Sequence, residues 1–485
     1  MSVVPLPLFV DLDETLIGAD LLAEMSAKLL RQRPWLMGSL LFRVVRGTRA
    51  SLKEWLASQV EIDPALLPYR TEVLTLIESR RVAGANIILA TASNRKPAEA
   101  IARHLGCFAQ VLASDSRQNL KGLHKLTAIR EEQARLGADG FDYAGDCEAD
   151  VPILKEARQG YIFSHSKRWE ASCRARIPSV QVIGHRAPRV KDYLRLLRPH
   201  QWSKNLLLLI PLALSHRWTE PALVFQVAQA MVAFSLGASA VYVLNDFVDL
   251  ERDRRHASKY RRPLASGVIP IWQAPFLALG LLGFSLTAGF IVLGHSFALI
   301  LLAYFGANGL YSFWLKNKPM IDVVLLTLMY AVRILAGGVA AGLPVTDWLL
   351  SFGLFFFLSL ALGKRYQELM GAKEEGDTIR KIRGYQVGDL GVVGTTGMGA
   401  ALVSVLVMAL YIRSPEVVEL YRTPRLLWLI CPLILYWVGR FWILTGRGEM
   451  HDDPIVFALK DRISYIIGAC VAVLILVAHG FGFEI

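Results

Sequence analysis

The chain of 485 residues changes character before its midpoint. Through about residue 200, short apolar runs alternate with mixed polar stretches; from Leu206 onward, apolar runs of roughly 17 to 23 residues recur, long enough to cross the hydrocarbon core of a bilayer. Nine spans are readable, at 203–216, 223–244, 271–293, 295–315, 321–342, 347–363, 391–413, 425–444 and 463–483. The first is short for a crossing and the sixth marginal. In the N-terminal part, LPLFVDL, NIILATAS and FDYAGD are apolar runs of strand length, separated by segments with helical periodicity. The pattern predicts an α/β domain over 1–180, a basic interfacial linker over 181–202, and an all-α, nine-helix transmembrane bundle over 203–485.

Hydrophobic residues make up 54% of the chain, and that excess falls in the C-terminal part. The net charge of +12 could suggest nucleic acid, but its placement argues for a membrane instead. Basic residues gather after alternate spans: Arg252 to Arg262 after the second, Lys316 and Lys318 after the fourth, Lys364 to Arg383 (with Arg380 and Lys381) after the sixth, and Arg440 to Arg462 after the eighth. The positive-inside rule then places those loops and the N-terminal domain in the cytoplasm of a multi-pass protein of a bacterial-type inner (cytoplasmic) membrane. Five cysteines without C-x-x-C spacing read as reduced thiols, and the N-terminus lacks the basic region and cleavage site of a signal peptide. The segment VQVIGHRAPRVKDYLRLLRPH can lie along an anionic membrane surface or serve as a solvated linker.

At the end of the second span stands an acidic cluster, Asn245, Asp246, Asp249 and Asp253, in LNDFVDLERD. On a helix the carboxylates fall at i, i+3 and i+7, on one face, where they can share a hard divalent cation. Carboxylates near membrane depth are costly enough to signal function. Mg2+ and a phosphorylated substrate are the expected ligands; the bland alternative is a solvated acidic helix end.

In the N-terminal domain the strand in LPLFVDLDETL ends in Asp11 and Asp13, with Thr15 following. Carboxylates at the carboxyl end of a buried strand lie where open α/β folds place their chemistry. NIILATAS brings Thr91 to a second strand end, FDYAGDCEAD presents Asp146 and Asp150 at a third, and Lys125 lies between them in NLKGLHKLTAI. In order and on the expected elements, these four motifs resemble those of the haloacid dehalogenase-like (HAD) phosphatase superfamily, over about residues 5–165. The resemblance implies a Rossmann-like HAD fold in which Asp11 is the nucleophile and Asp13 the general acid and base. It implies too that Thr91 and Lys125 hold the phosphoryl oxygens, and that Mg2+ is bound among Asp11, Asp13, Asp146 and Asp150. About eighty residues separate the first two motifs, more than a crossover needs, so the insertion over 18–80 is expected to form a helical cap. Its segment PWLMGSLLFRVV is too short to span a bilayer and reads first as cap core. The sharper reading has Trp35, Leu36 and Leu40 touching the membrane to admit a lipid-borne phosphate.

The membrane part, with N-D-x-x-D-x-x-x-D after its second span, resembles the UbiA superfamily of intramembrane transferases. Most members carry a second aspartate-rich motif after the fourth span; here that stretch, YSFWLKNKPMIDVVLLTLMYAVRILAGG, holds Asp322 alone, with Arg333 further on. Fewer carboxylates and more basic groups suit a donor with additional phosphate charge. RPHQWSKN, NDFVDLERDRRHASKYRRPLASG, YSFWLK, AVRILAGGVAAG, GKRYQEL and DPIVFALKDR are most similar to the polyprenyl-phosphate phosphoribosyltransferases of that superfamily. Those enzymes move ribose 5-phosphate from phosphoribosyl pyrophosphate to a polyprenyl phosphate lipid. The resemblance implies that Asp246, Asp249 and Asp253 hold Mg2+, the first two as catalytic groups, with Asn245 orienting them. It further implies that Lys204, Lys259, Arg261, Arg262, Tyr311, Lys316, Arg333, Lys364 and Arg365 meet the substrates, and that Asp322 takes a ribose hydroxyl or a second metal position. Orientation alone would also place basic residues in these loops.

These expectations describe a bifunctional membrane enzyme whose HAD domain removes the 5-phosphate to leave polyprenyl-phosphoryl ribose. Its partners would be polyprenyl phosphate, phosphoribosyl pyrophosphate and the membrane, not nucleic acid; homo-oligomer formation is left open. One alternative is a UbiA-type prenyltransferase moving an isoprenoid from a prenyl diphosphate to an aromatic acceptor, with a non-catalytic or unrelated HAD module. Another makes the HAD half a docking module without turnover.

Overall fold

A computed structural model describes residues 5–115, 118–164, 166–185, 187–374, 382–450 and 454–480. Arg380, Lys381, the first residue of DPIVFALKDR and the end of the last expected span lie outside them. Packing divides the chain into two units, Met1–Leu197 with Tyr242–Leu279, and Arg198–Val241 with Gly280–Ile485.

The first unit is built on strands β1 (Leu8–Val10), β2 (Ile87–Asn94), β3 (Gln110–Ser114), β4 (Asp142–Gly145), β5 (Gln159–Ser164) and β6 (Gln181–His185). They form one parallel sheet in the order β3-β2-β1-β4-β5-β6. Alternation along β1 sends Leu8 and Val10 to a core with Leu89, Val73 and Ile101, and Phe9 to the opposite core with Ile88, Ile129 and Leu154. Because helices cover both faces, the strands are apolar runs rather than alternating ones. Strand order switches from one side of β1 to the other between β3 and β4, so the carboxyl ends of β1 and β4 flank the crevice where such sheets bind ligands.

Between β1 and β2, the helices Leu21–Gln32, Met37–Arg46 and Arg49–Gln59 share a small core of Met25, Leu29, Leu40, Leu52 and Leu56. The Asp20 side chain caps the first, accepting from the Ala23 amide at 3.0 Å, and Thr48 caps the third through Ser51 at 3.2 Å. The next helix, Thr71–Val82, instead sends Val73 and Ile77 into the sheet core. The cap is therefore shorter than 18–80: it closes where Ile17 and Tyr69 pair antiparallel. Nor is PWLMGSLLFRVV cap core. Helix Met37–Arg46 buries Leu40 alone, while Trp35 is 74% and Val45 79% exposed, with Leu41, Phe42 and Val44 also open.

The same unit takes in the end of helix Pro221–Val248, helix Leu250–Arg255 and the loop after it, through contacts of Val243, Phe247 and Leu250 with Ala27 and Leu196. The expected linker is largely folded. Its start is β6, its middle is helix Val190–Leu197 with Leu196 fully buried, and Tyr193 Oη donates to Gln273 Oε1 at 2.7 Å.

Seven helices among the described residues are long and apolar enough to cross a membrane: Pro221–Val248, Gln273–Leu293, Ile321–Ala341, Asp347–Glu374, Val387–Ile412, Pro424–Gly446 and Arg462–Gly480. The protein is an integral membrane protein with seven such helices where nine spans were expected. The expected first span breaks into a 3-10 segment, Pro199–Leu209, and the five-residue helix Ile210–Leu214, with Pro211 at the start of the latter. The expected fourth is helix His295–Phe313, whose 19 residues are not among the seven. In the second unit Gly337 lies directly against the Leu208 backbone, a close approach that a side chain would block.

Candidate active sites

Asp11 follows β1 and opens a tight turn, Leu12–Leu16, in which Glu14 sits at φ 54. A left-handed non-glycine residue is a local strain that clusters at functional sites. The turn brings together the groups expected from the motifs. Lys125 Nζ lies 3.0 Å from Asp11 Oδ1 and 3.0 Å from Asp150 Oδ1. Tyr143 Oη donates to Asp150 Oδ1 at 2.8 Å, and Thr15 Oγ1 to Asp146 Oδ1 at 3.1 Å. Asp13 is held at both oxygens, by the Leu21 amide at 2.8 Å and Ser93 Oγ at 2.5 Å. Thr91 is fully buried and its Oγ1 accepts from the Ser93 amide at 2.9 Å, so it orients Ser93. The cap reaches the same strand end: Lys53 Nζ donates to Ala92 O at 2.6 Å, and Asn94 Nδ2 to Glu54 Oε2 at 2.5 Å.

Burial of Asp11, offset by Lys125 but reinforced by Asp150, Asp146 and Asp13, holds its carboxyl well above the usual range. Burial and Asp20 push Asp13 up to about 6, against the stabilising hydrogen bonds from Ser93 and Leu21. Burial alone would raise Asp150, yet Lys125 and the Tyr143 hydrogen bond bring it below its ordinary value. Burial alone would lower Lys125, but Asp11 and Asp150 raise it, so it stays an ammonium.

The donor set fits Mg2+. Ligand atoms of Asp146, Cys147 and Asp150 lie within 4.8 Å of one another, and the neighbouring carboxylates outnumber the single lysine. Hard oxygens of Asp11, Asp146 and Asp150 suit the ion. The Cys147 thiol does not: burial pushes it up, and it donates to Asp150 Oδ2 at 3.3 Å. Asp13 accepts on both oxygens, and so does Asp150, at Oδ1 from Lys125 and Tyr143 and at Oδ2 from Cys147, so hydrogen bonding does not separate the two as candidates for the ion.

The acidic cluster departs from a single helix. Pro221–Val248 ends before Asp249, which stands at φ −88, ψ 13 and leads into Leu250–Arg255. The hydrogen-bond ladder nonetheless runs through, from the Asp249 amide to Asn245 O and from the Asp253 amide to Asp249 O, both at 2.8 Å. Asp246 and Asp253, each buried, converge on one guanidinium nitrogen of Arg262, at 3.0 and 2.5 Å. Arg262 thus bridges the two carboxylates. Among the described residues, three carboxylates do not gather here within 4.8 Å, so the expected triple is a close pair with Asp249 beside it. Lys259 and Arg261 stand on the short turn Lys259–Arg261, with Arg261 Nε donating to Tyr260 Oη at 2.9 Å.

In the second unit, Asp322 is fully buried and accepts from Arg365 Nε at 2.8 Å and Tyr385 Oη at 2.7 Å. Arg365 also pairs with Glu368, and Arg383 donates to Tyr311 Oη. Arg333 gives Nε to Asn205 at 3.1 Å, one nitrogen to Met329 O at 2.6 Å and the other to Tyr304 Oη at 2.8 Å, among the rings of Phe234, Tyr304 and Tyr330. Asp322 and Arg333 are thereby held by their own chain, the usual condition for charge inside a membrane bundle. Lys204, Lys316 and Lys364 are half-buried.

Residues 206–466, more than half of the chain, match the UbiA prenyltransferase family. The chain belongs to the UbiA prenyltransferase family. Residues 8–155 match the haloacid dehalogenase-like hydrolases, so an HAD-like domain precedes the UbiA region. An uncharacterized protein, y4nM of Sinorhizobium fredii, is 38% identical over 480 residues, covering 96% of this chain and 90% of the relative. A decaprenyl-phosphate phosphoribosyltransferase of Mycobacterium tuberculosis is 39% identical over 196 residues, covering 40% of this chain and 65% of that protein. The nodulation protein NoeC of Azorhizobium caulinodans is 32% identical over 279 residues, 56% of this chain and 89% of NoeC. A UbiA homolog from Archaeoglobus fulgidus, bound to GPP and Mg2+, overlays with a TM-score of 0.44 at 18% identity, over 60% of this chain and all of that one.

Motif reading misses Ser93, Tyr143 and Lys53 in the HAD-like domain, and Tyr385, Glu368 and Arg383 in the UbiA region. Ser93 alone left a signal, since a residue two beyond Thr91 on a strand faces the same side. Lys53, Tyr385 and Arg383 reach their partners from elements distant in sequence, whereas Tyr143 stands seven residues before Asp150 and Glu368 three residues after Arg365 on one helix.

Proposed function

We propose that the chain transfers 5-phosphoribose from phosphoribosyl pyrophosphate to a polyprenyl phosphate, and that its HAD half then removes the 5-phosphate. The observation that supports this most directly is that one packed unit holds both Asp246, Asp253 and Arg262 and the set of Asp11, Asp13, Lys125, Asp146 and Asp150. The identity to decaprenyl-phosphate phosphoribosyltransferase favours the donor, as does an Asp322 already engaged by Arg365 and Tyr385 rather than set in a second acidic motif.

In the first reaction a lipid phosphate oxygen forms a bond to ribose C1 as the bond from C1 to diphosphate breaks, and pyrophosphate leaves. Asp246, Asp249 and Asp253 would hold Mg2+, which when bound neutralises the departing diphosphate. Arg262, Lys259 and Arg261 add fixed positive charge on the same loop. In the second, Asp11 attacks the 5-phosphate while Asp13 protonates the ribose oxygen that leaves. Asp13 then takes a proton from water, which attacks the aspartyl-phosphate and releases inorganic phosphate. Lys125 stabilises the charge on the transferring group, and Asp11, Asp146 and Asp150 would hold the cation. Both reactions lie on the cytoplasmic face of an inner membrane in this reading.

The test is mass spectrometry of lipid formed from phosphoribosyl pyrophosphate, polyprenyl phosphate and Mg2+. Wild-type protein should yield polyprenyl-phosphoryl ribose, and Asp11→Asn protein should accumulate the 5-phosphorylated lipid. Dephosphorylated ribosyl lipid from Asp11→Asn at the wild-type rate would remove the phosphatase assignment, and turnover of prenyl diphosphate in place of the ribosyl donor would make the chain a prenyltransferase.

A further inference from the structure

The cap helix Leu21–Gln32 belongs by sequence to the phosphatase half, yet its outer face packs on the acidic helix of the UbiA region. Ala27 and Leu30 pack with Val243, Phe247 and Leu250. Beside them, Glu24 makes a two-pronged pair with Arg254, at 2.6 and 3.2 Å, both side chains nearly fully buried, and Arg254 Nε also donates to Ala265 O at 3.0 Å. A buried bidentate pair fixes orientation as well as distance. One turn further along the cap helix, Lys28 and Arg31 reach Glu251, at 2.9 and 3.6 Å.

These two cations, only 11% and 9% exposed, share a single carboxylate. They line a cavity of about 350 Å³ whose wall also contains Asp249, Arg252 and Arg255. The cavity thus joins four basic side chains to one of the carboxylates expected to hold the metal of the transfer reaction. Arg252 and Arg255 are exposed, with Arg255 also paired to Asp63 at 3.3 Å, and the four cations of the wall face only the two carboxylates Asp249 and Glu251. Guanidinium and ammonium groups beside a carboxylate expected to bind metal are the chemistry that takes a metal-chelated phosphate.

We propose that Lys28 and Arg31 of the phosphatase half form part of the phosphate-binding wall of the transferase site, taking the diphosphate of a magnesium-chelated phosphoribosyl donor together with Asp249, Arg252 and Arg255. This rests on the phosphoribosyl transfer proposed above, and it makes the HAD domain a constituent of the first site as well as the owner of the second.

The experiment is calorimetric titration of the full-length protein in nanodiscs with magnesium pyrophosphate, comparing wild type, Lys28→Ala/Arg31→Ala, Asp249→Asn and the combined variant. The double variant should bind at least tenfold more weakly, and adding Asp249→Asn should cost much less than it does alone, because contacts to one ligand are not additive. Its hydrolysis of a soluble phosphate ester should stay within twofold of wild type, which separates loss of the wall from loss of the fold. In transfer assays the same variant should raise KM for phosphoribosyl pyrophosphate at least tenfold, with kcat little changed. Unchanged pyrophosphate affinity, or strict additivity with Asp249→Asn, overturns the proposal. Wild-type binding of pyrophosphate without phosphoribosyl transfer would instead overturn the transfer reaction and leave the binding wall standing.

Discussion

Ser93 shows how one hydroxyl tunes a candidate acid. Its donation to Asp13 stabilises the ionised carboxylate, so it opposes the burial that lifts this group to about 6. As general acid Asp13 acts in its protonated form, so kcat/KM for a phosphate ester with a poor leaving group should fall as pH rises through about 6. Ser93→Ala removes a stabiliser of the ionised form and should move that limb to higher pH; a limb that stays put in a pH profile would refute the role. Asp322 is a structural counterpart. Asp322→Asn leaves Arg365, itself almost fully buried, short of its carboxylate, and breaking such a pair costs about 3 kcal/mol or more. A clear fall in the thermal midpoint of the detergent-solubilised protein is expected, and an unchanged midpoint would mean that Glu368 alone satisfies Arg365. Spacing made the places of Asp11 and Asp150 legible, because each follows a strand end, while Lys125 stands in the first turn of helix Leu123–Arg135. The partner Tyr385 was not legible, because its hydrogen bond to Asp322 joins elements 63 residues apart and leaves no periodicity.

At the level of single elements, helix Met37–Arg46 carries the clearest consequence. Its apolar side chains are open apart from Leu40, which belongs to the cap's own core. An amphipathic helix with an exposed apolar face and basic ends suits the interface of a bilayer. Replacing Trp35, Phe42 and Val45 with serine should slow dephosphorylation of a lipid-borne substrate in vesicles at least fivefold and leave soluble esters unaffected. Equal losses on both substrates would return the segment to a purely structural role. Leu36 and Leu40, read from the sequence as part of the same contact, are poorer choices because Leu40 holds the cap together. The expected first span fails at this scale too. Its composition is apolar, but Pro211 and the 3-10 segment before it deny the region a helix long enough to cross.

For the whole molecule, the decisive fact is that Tyr242–Leu279 packs with the N-terminal domain rather than with the remaining helices. Cutting the chain at residue 198 should therefore harm the phosphatase half, since Ala27 and Leu196 lose the cover of Phe247 and Leu250, and Glu24 loses Arg254. A fragment of residues 1–197 is expected to lose ester hydrolysis at a lower temperature than the intact protein; equal inactivation temperatures would show the domain self-sufficient. From the sequence alone, apolar run lengths determined that the chain enters a membrane, and motif spacing determined an HAD-like domain ahead of a UbiA region, because both signals are local and periodic. Which face of the cap helix meets the acidic helix and the capture of Asp246 and Asp253 by Arg262 were decided only in three dimensions. Those outcomes depend on pairings between distant residues, such as Glu24 with Arg254 and Asp322 with Arg365, whose geometry exists only once the chain has packed.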